Sequence, residues 1–268
     1  MSKFDEFIKE RKYLKAVSPR TLEWHDQSLK WLGIENPTEA DCKAAVVRMR
    51  EAGLKASSVN CRLRSINAYL KWAGINIKIP KLKEPRPVLD VFGKDEIKRF
   101  AAWKAKTQNE KRLQCLVLML ADVGARISEL LTLKWSSVDF DNCLVKLHGK
   151  GDKERIVPFS IELRKYLYRL KQNSKHSLVF ATRDGNELAR NNVRRAVKSL
   201  CEDLGIKAPV RLLHSFRHSM ATQFLRAGGN VFALQRTLGH SSLNTTRVYE
   251  HLLTEDLQKI HAQVSLLS

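Results

Sequence analysis

The stretch LLHSFRHSMATQFLRAGGNVFALQRTLGHSSLNTTRVY, residues 212–249, combines helical apolar spacing with a cluster of histidine and arginine side chains. His214, Arg217 and His218 lie at helical spacing, and Tyr249 comes nine residues after the histidine of a Leu-Gly-His turn. Arginine is a permanently charged fork that can hold a phosphate with two donors, and histidine can exchange a proton near neutral pH. A tyrosine that follows such a cluster indicates a nucleophile facing an anion.

A zinc site is the first alternative for this stretch, because His214 and His218 are four residues apart. The order is HSFRH rather than HExxH, so Ser215 stands where the glutamate base would be, and Arg217 would repel a metal ion. The chain also has no glycine-rich nucleotide loop. We therefore expect neither a metal nor a nucleotide cofactor.

Upstream, residues 93–134 have helical spacing with an apolar body at 113–123, which Gly124-Ala125-Arg126 interrupts before the pattern resumes at 127–133. An arginine between two apolar helical runs is costly to bury without an anionic partner. Arg126 is thus a candidate anion-binding residue, and the alternative is a structural ion pair with Glu129.

The period changes to that of strands between residues 139 and 159. Leu144-Val145 and Ile156-Val157 flank the loop HGKGDKER, which predicts a hairpin, and Lys150 or Lys153 in that loop can reach a phosphate. The alternative for both lysines is ordinary exposed surface. Further helices are predicted at residues 161–171, 189–204, 214–227, 231–238, 243–252 and in an amphipathic segment at 257–267. The predicted fold class is mainly α, with a small antiparallel sheet inside the larger domain.

The N-terminal part reads as three helices with clear ends: Ser18-Pro19 to Gly33, Thr38 to Gly53, and Ser57 or Ser58 to Gly74. The third has an apolar stripe at Val59, Leu63, Ile66, Leu70 and Ala73. Beside that stripe runs a polar row that suits either DNA contact or a solvated surface: Asn60, Arg64, Asn67 and Lys71. The proline-rich, basic segment around residues 77–91 predicts a linker. We therefore predict a helical DNA-binding domain at 1–79, a linker at 80–92 and a catalytic domain at 93–268.

The composition points to a polyanionic partner. Lys and Arg number 48 against 28 Asp and Glu, which gives a formal charge of +20, and the excess is spread over both predicted domains. The five cysteines form no CxxC pair and are expected to be reduced thiols, and no apolar run approaches the length of a membrane span. These features predict a cytoplasmic protein, associated with the nucleoid when it binds double-stranded DNA, and no membrane partner.

Together these elements resemble the tyrosine recombinase family, also called phage-type integrases, and especially its Xer-like and small integrase members. The resemblance lies in GARISELLTLKW, GKGDKER, LLHSFRHSMAT, LGHSS and the final tyrosine, which follow one another in the family's order. It implies that the catalytic residues are Arg126, Lys150, His214, Arg217, His240 and Tyr249. The remaining candidates, for DNA binding, are Asn60, Arg64, Asn67, Lys71 and Lys153.

The resemblance implies site-specific DNA strand exchange through a covalent 3′-phosphotyrosyl intermediate, with four copies of the chain assembled on DNA. In this scheme His214 is the base for the tyrosine, Lys150 is the acid for the leaving hydroxyl, and His240 donates to the phosphate. Three alternatives stay open: a type IB topoisomerase-like enzyme, a DNA-binding regulator that does not cleave, and a metal-dependent nuclease.

Overall fold

The structure is a computed structural model that describes residues 2–84, 90–149 and 154–239. The chain divides into two compact units, residues 1–87 and 88–268. Several predictions concern residues outside the described ranges: those for Lys150, Lys153, His240 and Tyr249, and the helices predicted at 243–252 and 257–267. No helix in the described part of the chain is long and apolar enough to span a bilayer.

The N-terminal unit is built from four helices. They are α1 (Lys3–Tyr13), α2 (Pro19–Leu32), α3 (Glu39–Glu51) and α4 (Ala56–Trp72). The predicted ends of α2 are confirmed, because it starts with Pro19 after Ser18 and ends at Gly33 with a left-handed φ of 73°. Helix α4 begins at Ala56, before the predicted Ser57 or Ser58, and Lys55 at its N-cap makes no side-chain capping bond. Thr38 caps α3 in a reciprocal capping box with Asp41.

Helix α4 carries the apolar stripe of this unit, and its predicted members Val59, Leu63, Ile66 and Leu70 are all buried. The helix packs against α1, α2 and α3. The position of the stripe therefore follows from helical periodicity alone.

Two residues of the adjacent polar row, Asn60 and Asn67, hydrogen-bond to the protein itself, and their DNA contacts stay a prediction. The Asn60 amide donates to the Leu82 carbonyl and accepts from the Leu82 N–H, both at 2.8 Å, and only 5% of the residue is exposed. Asn67 makes the same pair of bonds with Ile79, both at 2.9 Å. An extended segment has unpaired backbone groups, and an asparagine amide supplies both a donor and an acceptor. The two amides thus hold residues 79–82 along α4, so this part of the predicted linker is docked.

The larger unit contains seven helices and three strands among its described residues. The helices are α5 (Lys94–Ala102), α6 (Gln108–Val123), α7 (Ile127–Leu131), α8 (Ile161–Gln172), α9 (Arg190–Asp203), α10 (Leu212–Arg226) and α11 (Val231–Leu238). The strands β1 (Val138–Asp139), β2 (Leu144–His148) and β3 (Glu154–Pro158) form an antiparallel sheet in the order β1-β2-β3. Val145 faces Val157 across the β2–β3 pair, which confirms the predicted hairpin.

Helix α6 is the centre of this unit and packs against α5, α8, α9 and α10. Phe216 of α10 stacks on Phe92 at a ring distance of 4.3 Å, and both rings contact Phe100. The Phe92 N–H also donates to the Ser219 hydroxyl at 2.7 Å. These contacts fix α10 in the core of the unit, where Arg217 is buried and His214 stays exposed.

The predicted break after α6 is present, at Gly124 with φ of 64°. A side chain there would meet Met220 Cε at 3.0 Å, so glycine suits both the backbone angle and the space. The following helix α7 ends at Leu131, two residues earlier than predicted; the Leu133 N–H donates to the Leu130 carbonyl at 3.2 Å, and the Leu133 carbonyl accepts from the Val179 N–H at 2.8 Å.

Candidate active site

Arg217 lies on α10 in an almost fully buried position, with 4% of the residue exposed. Its Nη1 donates to the Gly124 carbonyl at 2.8 Å, and its Nη2 donates to the Leu238 carbonyl. Gly124 ends α6 and Leu238 ends α11. Arg217 therefore joins three helices at one point.

Arg126 reaches the same point from the start of α7. Its backbone N–H and its Nη1 donate to the two carboxylate oxygens of Glu129 at 2.7 and 2.8 Å, so the ion pair considered from the sequence is present. Its Nη2 lies 3.5 Å from the Gly239 carbonyl, and 35% of its side chain remains exposed. The ion pair thus orients Arg126 without enclosing it.

The end of α11 is surrounded by arginines. Carbonyls at a helix C-terminus have no partner within the helix and carry the negative end of its dipole, so they favour cations. The carbonyls of Thr237, Leu238 and Gly239 face Arg155, Arg217 and Arg126 in that order. His240 is the next residue in the sequence. Two predicted catalytic arginines therefore meet beside the residue that precedes a predicted catalytic histidine.

His214 lies on the exposed side of the first turn of α10, one turn before Arg217. Partial burial of the ring lowers its pKa, and the positive charges of Arg190, Arg217, Arg211 and Arg126 lower it further. A neutral imidazole can accept a proton at neutral pH. The electrostatics of the site thus suit the predicted role of a base.

His218 lies one turn further along α10, with its ring centre 6.4 Å from that of His214. Burial, together with His214 and the charges of Arg211 and Arg217, lowers its pKa to about 4. His218 is therefore uncharged near neutral pH. Among the described residues no group of three or more His, Cys, Asp or Glu side chains is arranged to hold a metal ion.

Sequence reasoning overlooked Arg155, the second residue of β3. Both of its terminal nitrogens donate to Glu129, at 2.7 and 2.8 Å, and its Nε donates to the Thr237 carbonyl at 2.8 Å. A signal was present in the alternation, because Arg155 shares the inward face of β3 with the buried Val157. The apolar Ile156 obscured this signal, since it points outward and is 64% exposed.

Lys150 and Lys153 lie between the last residue of β2 and the first of β3, outside the described residues, as do His240 and Tyr249. Of the six predicted catalytic residues, the structure describes Arg126, His214 and Arg217 and brings them together. Arg190, which the sequence did not single out, is exposed at the start of α9, and its charge helps to lower the pKa of His214.

Residues 90–256 match the model of the phage integrase family, and this stretch is more than half of the chain. The chain belongs to the phage integrase family. The sequence-based recognition of a tyrosine recombinase is thereby confirmed, and with it the enzyme class.

Curated phage integrase relatives match over most of their length. The chain is 31% identical over 267 residues to tyrosine recombinase XerA of Thermococcus kodakarensis, covering 95% of this chain and 92% of the relative. It is 26% identical over 256 residues to tyrosine recombinase XerD of Oceanobacillus iheyensis, covering 88% and 84% of the two chains. Both relatives therefore match this chain across both of its units.

Solved structures of the family agree with the fold. The crystal structure of XerA recombinase matches with a TM-score of 0.57 and 26% identity, covering 97% of each chain. The Tn1549 transposon integrase in complex with transposon right end DNA matches with a TM-score of 0.79 and 19% identity, covering 98% of this chain and 99% of that one. At this identity the second match concerns the fold alone. The predicted fold, mainly helical with a small antiparallel sheet, is confirmed.

Proposed function

We propose that this phage integrase family member is a site-specific DNA recombinase that cleaves and rejoins strands through a 3′-phosphotyrosyl intermediate at Tyr249. One observation carries the proposal. Arg126 and Arg217 come from separate segments of the catalytic unit and converge on the turn immediately before His240. Relatives over the same length are named tyrosine recombinases.

The chemistry uses the charges of these arginines. When the Tyr249 oxygen attacks a phosphodiester, negative charge grows on the nonbridging oxygens, and Arg126 and Arg217 donate to them. Both guanidinium groups are already oriented by protein acceptors, so little reorganisation is needed in the transition state. In this proposal His240 adds a further donor.

The protons move between side chains in a balanced cycle. His214 takes the tyrosine proton as the bond to phosphorus forms, and Lys150 gives a proton to the departing 5′-oxygen. Rejoining runs the same steps in reverse with a 5′-hydroxyl as nucleophile, so the ester bond is conserved as phosphotyrosine and no nucleotide cofactor is needed.

Exposed basic side chains on two helices supply the proposed DNA contacts. Arg64 and Lys71 are exposed on α4, in the N-terminal unit. In the larger unit, α9 exposes Arg190, Arg194 and further basic residues, and Arg190 acts on His214 electrostatically. In this proposal the exposed arginines of α9 bind phosphates next to the reacting one, and such backbone contacts position the duplex. Titrating a labelled duplex against Arg194→Gln should show weaker binding than wild type if this surface is used.

Further copies of the chain are the second proposed partner, in a tetrameric complex on two duplexes. The sequence at 257–267 has an apolar stripe, and the larger unit has an open cleft of about 580 Å³ lined by apolar side chains that include Phe92, Ile97, Met220 and Phe224. We propose that the C-terminal segment of a second copy occupies this cleft.

The five cysteines are free thiols, which suits a protein that acts on DNA in the reducing cytoplasm.

Covalent trapping tests the function. Wild-type protein is mixed with nicked duplexes of randomised core sequence in the presence of chelator, denatured and examined for a protein–DNA adduct. Wild type and Tyr168→Phe, which changes an exposed tyrosine of α8, should form the adduct, whereas Tyr249→Phe should not. DNA binding without an adduct from wild type would instead support a regulator that does not cleave. Strand exchange that needs two captured duplexes would separate a recombinase from a topoisomerase-like enzyme.

A further inference from the structure

Glu129 is a carboxylate whose hydrogen-bonding capacity is filled by two arginines. It is buried, with 4% of the residue exposed. One oxygen accepts from Nη1 of both Arg126 and Arg155, and the other accepts from the Arg126 N–H and from Nη2 of Arg155. A buried charge is stable only when it is paired and fully hydrogen-bonded in this way. Glu129 therefore depends on Arg155 as much as on Arg126.

Arg155 also touches the other side of the site. Its Nε donates to the Thr237 carbonyl at 2.8 Å. A Cβ atom placed on Gly239 would lie 2.9 Å from its Cδ, so the backbone of the turn passes directly against the arginine stem. Only 11% of the Arg155 side chain is exposed. One side chain of β3 thus contacts both the start of α7 and the end of α11.

We propose that Arg155 is a positioning residue for DNA cleavage, which couples the β2–β3 hairpin to Arg126 and to the turn before His240. It acts through other groups, because each of its nitrogens donates to Glu129 or to Thr237. This inference rests on the proposed function, in which Arg126 and His240 donate to the phosphate and the hairpin loop supplies Lys150. It adds a residue that holds Arg126, through Glu129, and contacts Thr237 near the end of α11.

Arg155 is itself part of the β2–β3 hairpin, so it moves with that hairpin. Arg155 follows the first residue of β3, and the loop that contains Lys150 and Lys153 immediately precedes that strand. Its partner across the sheet, Leu147, is fully buried. A shift of the hairpin therefore moves Arg155 and, through Glu129, the guanidinium of Arg126. Misplacing a reacting group by about 1 Å can cost on the order of 10²-fold in rate.

The test compares Arg155→Met, which keeps the length of the stem but removes every donor, with Arg155→Lys, which keeps the charge and one donor group. Arg169→Met, an exposed arginine of α8, is the matched control. The full chain is used with duplexes captured by covalent trapping with wild-type protein. Single-turnover adduct formation at saturating DNA, the dissociation constant for the same duplex and the melting temperature are measured for each variant.

We expect Arg155→Met to slow adduct formation by roughly 10²-fold, with a change of less than about threefold in DNA affinity. Arg155→Lys should recover part of the rate, and Arg169→Met should match wild type. If Arg155→Met fails to fold, the same comparison is decided with Arg155→Lys. Equal losses of rate and affinity, or a wild-type rate in Arg155→Met, would overturn the proposal.

Two further readouts separate positioning from a merely structural role. Burial raises the pKa of Glu129, but the hydrogen bonds and charge of Arg155, together with the bonds from Arg126, bring it below its ordinary value. Without Arg155 the carboxyl should gain a proton at higher pH, so the acid limb of the cleavage rate should move upward. Glu129→Gln combined with Arg155→Met should lose less rate than the sum of the two single losses, because only the bond to Thr237 is left for the second change to remove. An unmoved acid limb or additive losses would contradict coupling through Glu129, whereas DNA binding without any wild-type adduct would overturn the proposed function and this inference with it.

Discussion

Arg217 carries a permanent charge in a position where charges are rarely tolerated. Its nitrogens face the carbonyl of Gly124 and the carbonyl of Leu238, which are the ends of two helices. The partial negative charge of helix C-termini lowers the cost of burying the cation, and the carbonyls in turn gain partners that the helices cannot supply. The same residue therefore serves the fold and the proposed chemistry.

Arg217→Lys should reduce adduct formation by on the order of 10²-fold, because a lysine cannot bridge both carbonyls while it donates to a phosphate. Arg226→Lys on the same helix changes an exposed residue and is the matched control. Single-turnover trapping measures both variants. Equal rates for wild type and Arg217→Lys would remove Arg217 from the proposed machinery.

His218 makes the stability of the larger unit depend on pH. Its pKa is about 4 in the folded chain, against a reference of 6.5, so between these values the unfolded chain binds a proton that the folded chain does not. The free energy of unfolding should therefore fall as the pH falls through this window, by up to about 1.4 kcal/mol per pH unit for one such group. His214 contributes in the same direction.

The substitution His218→Asn should flatten the dependence of the unfolding free energy on pH between pH 4 and 6.5, as measured by urea denaturation. Above pH 7 the free energies of wild type and variant should change with pH in parallel. The comparison of slopes is informative even if the variant is less stable at every pH. Identical slopes in the acid window would mean that His218 does not titrate as the structure indicates.

At the scale of elements, the ends of helices followed from local rules, but the faces of two elements did not. Pro19, Gly33 and Thr38 mark helix ends because caps depend on neighbours within a few residues. The polar row of α4 and the alternation of β3 were harder to interpret. Asn67 is polar but hydrogen-bonds to the backbone of Ile79, and Ile156 is apolar but faces solvent. A face is decided by what packs against it, and that information lies elsewhere in the chain.

Asn67→Leu should destabilise the N-terminal unit, because the N–H and carbonyl of Ile79 would lose their partner, at about 1–3 kcal/mol for each unsatisfied buried group. Lys71→Gln on the exposed side of the same helix should leave stability within about 0.5 kcal/mol and weaken DNA binding. Chemical denaturation and fluorescence anisotropy with a labelled duplex measure the two effects. A stable Asn67→Leu variant with weakened DNA binding would instead support the DNA contact predicted from the sequence.

At the scale of the whole molecule, the formal charge of +20 belongs to both units, so each has a basic surface of its own. DNA binding should then fall steeply with salt, because every phosphate that is neutralised releases counterions. If about 6–10 phosphates are contacted, affinity should drop by roughly 10³–10⁵ between 50 and 200 mM salt. Duplex titrations across this range give the slope, and a flat response would contradict a DNA contact spread over both units.

The sequence by itself determined the family, the mainly helical class and most helix ends, because motifs and caps are local patterns, and it predicted a catalytic set. Only the tertiary structure decided which groups those residues meet. Arg155 is 26 residues from Glu129 and 82 from Thr237, and Asn60 is 22 residues from Leu82. Contacts between residues so far apart in the chain produce no repeating pattern in the sequence, because the intervening segment can vary in length and composition. Folding alone brings a buried carboxylate, three arginines and the end of a helix to one place.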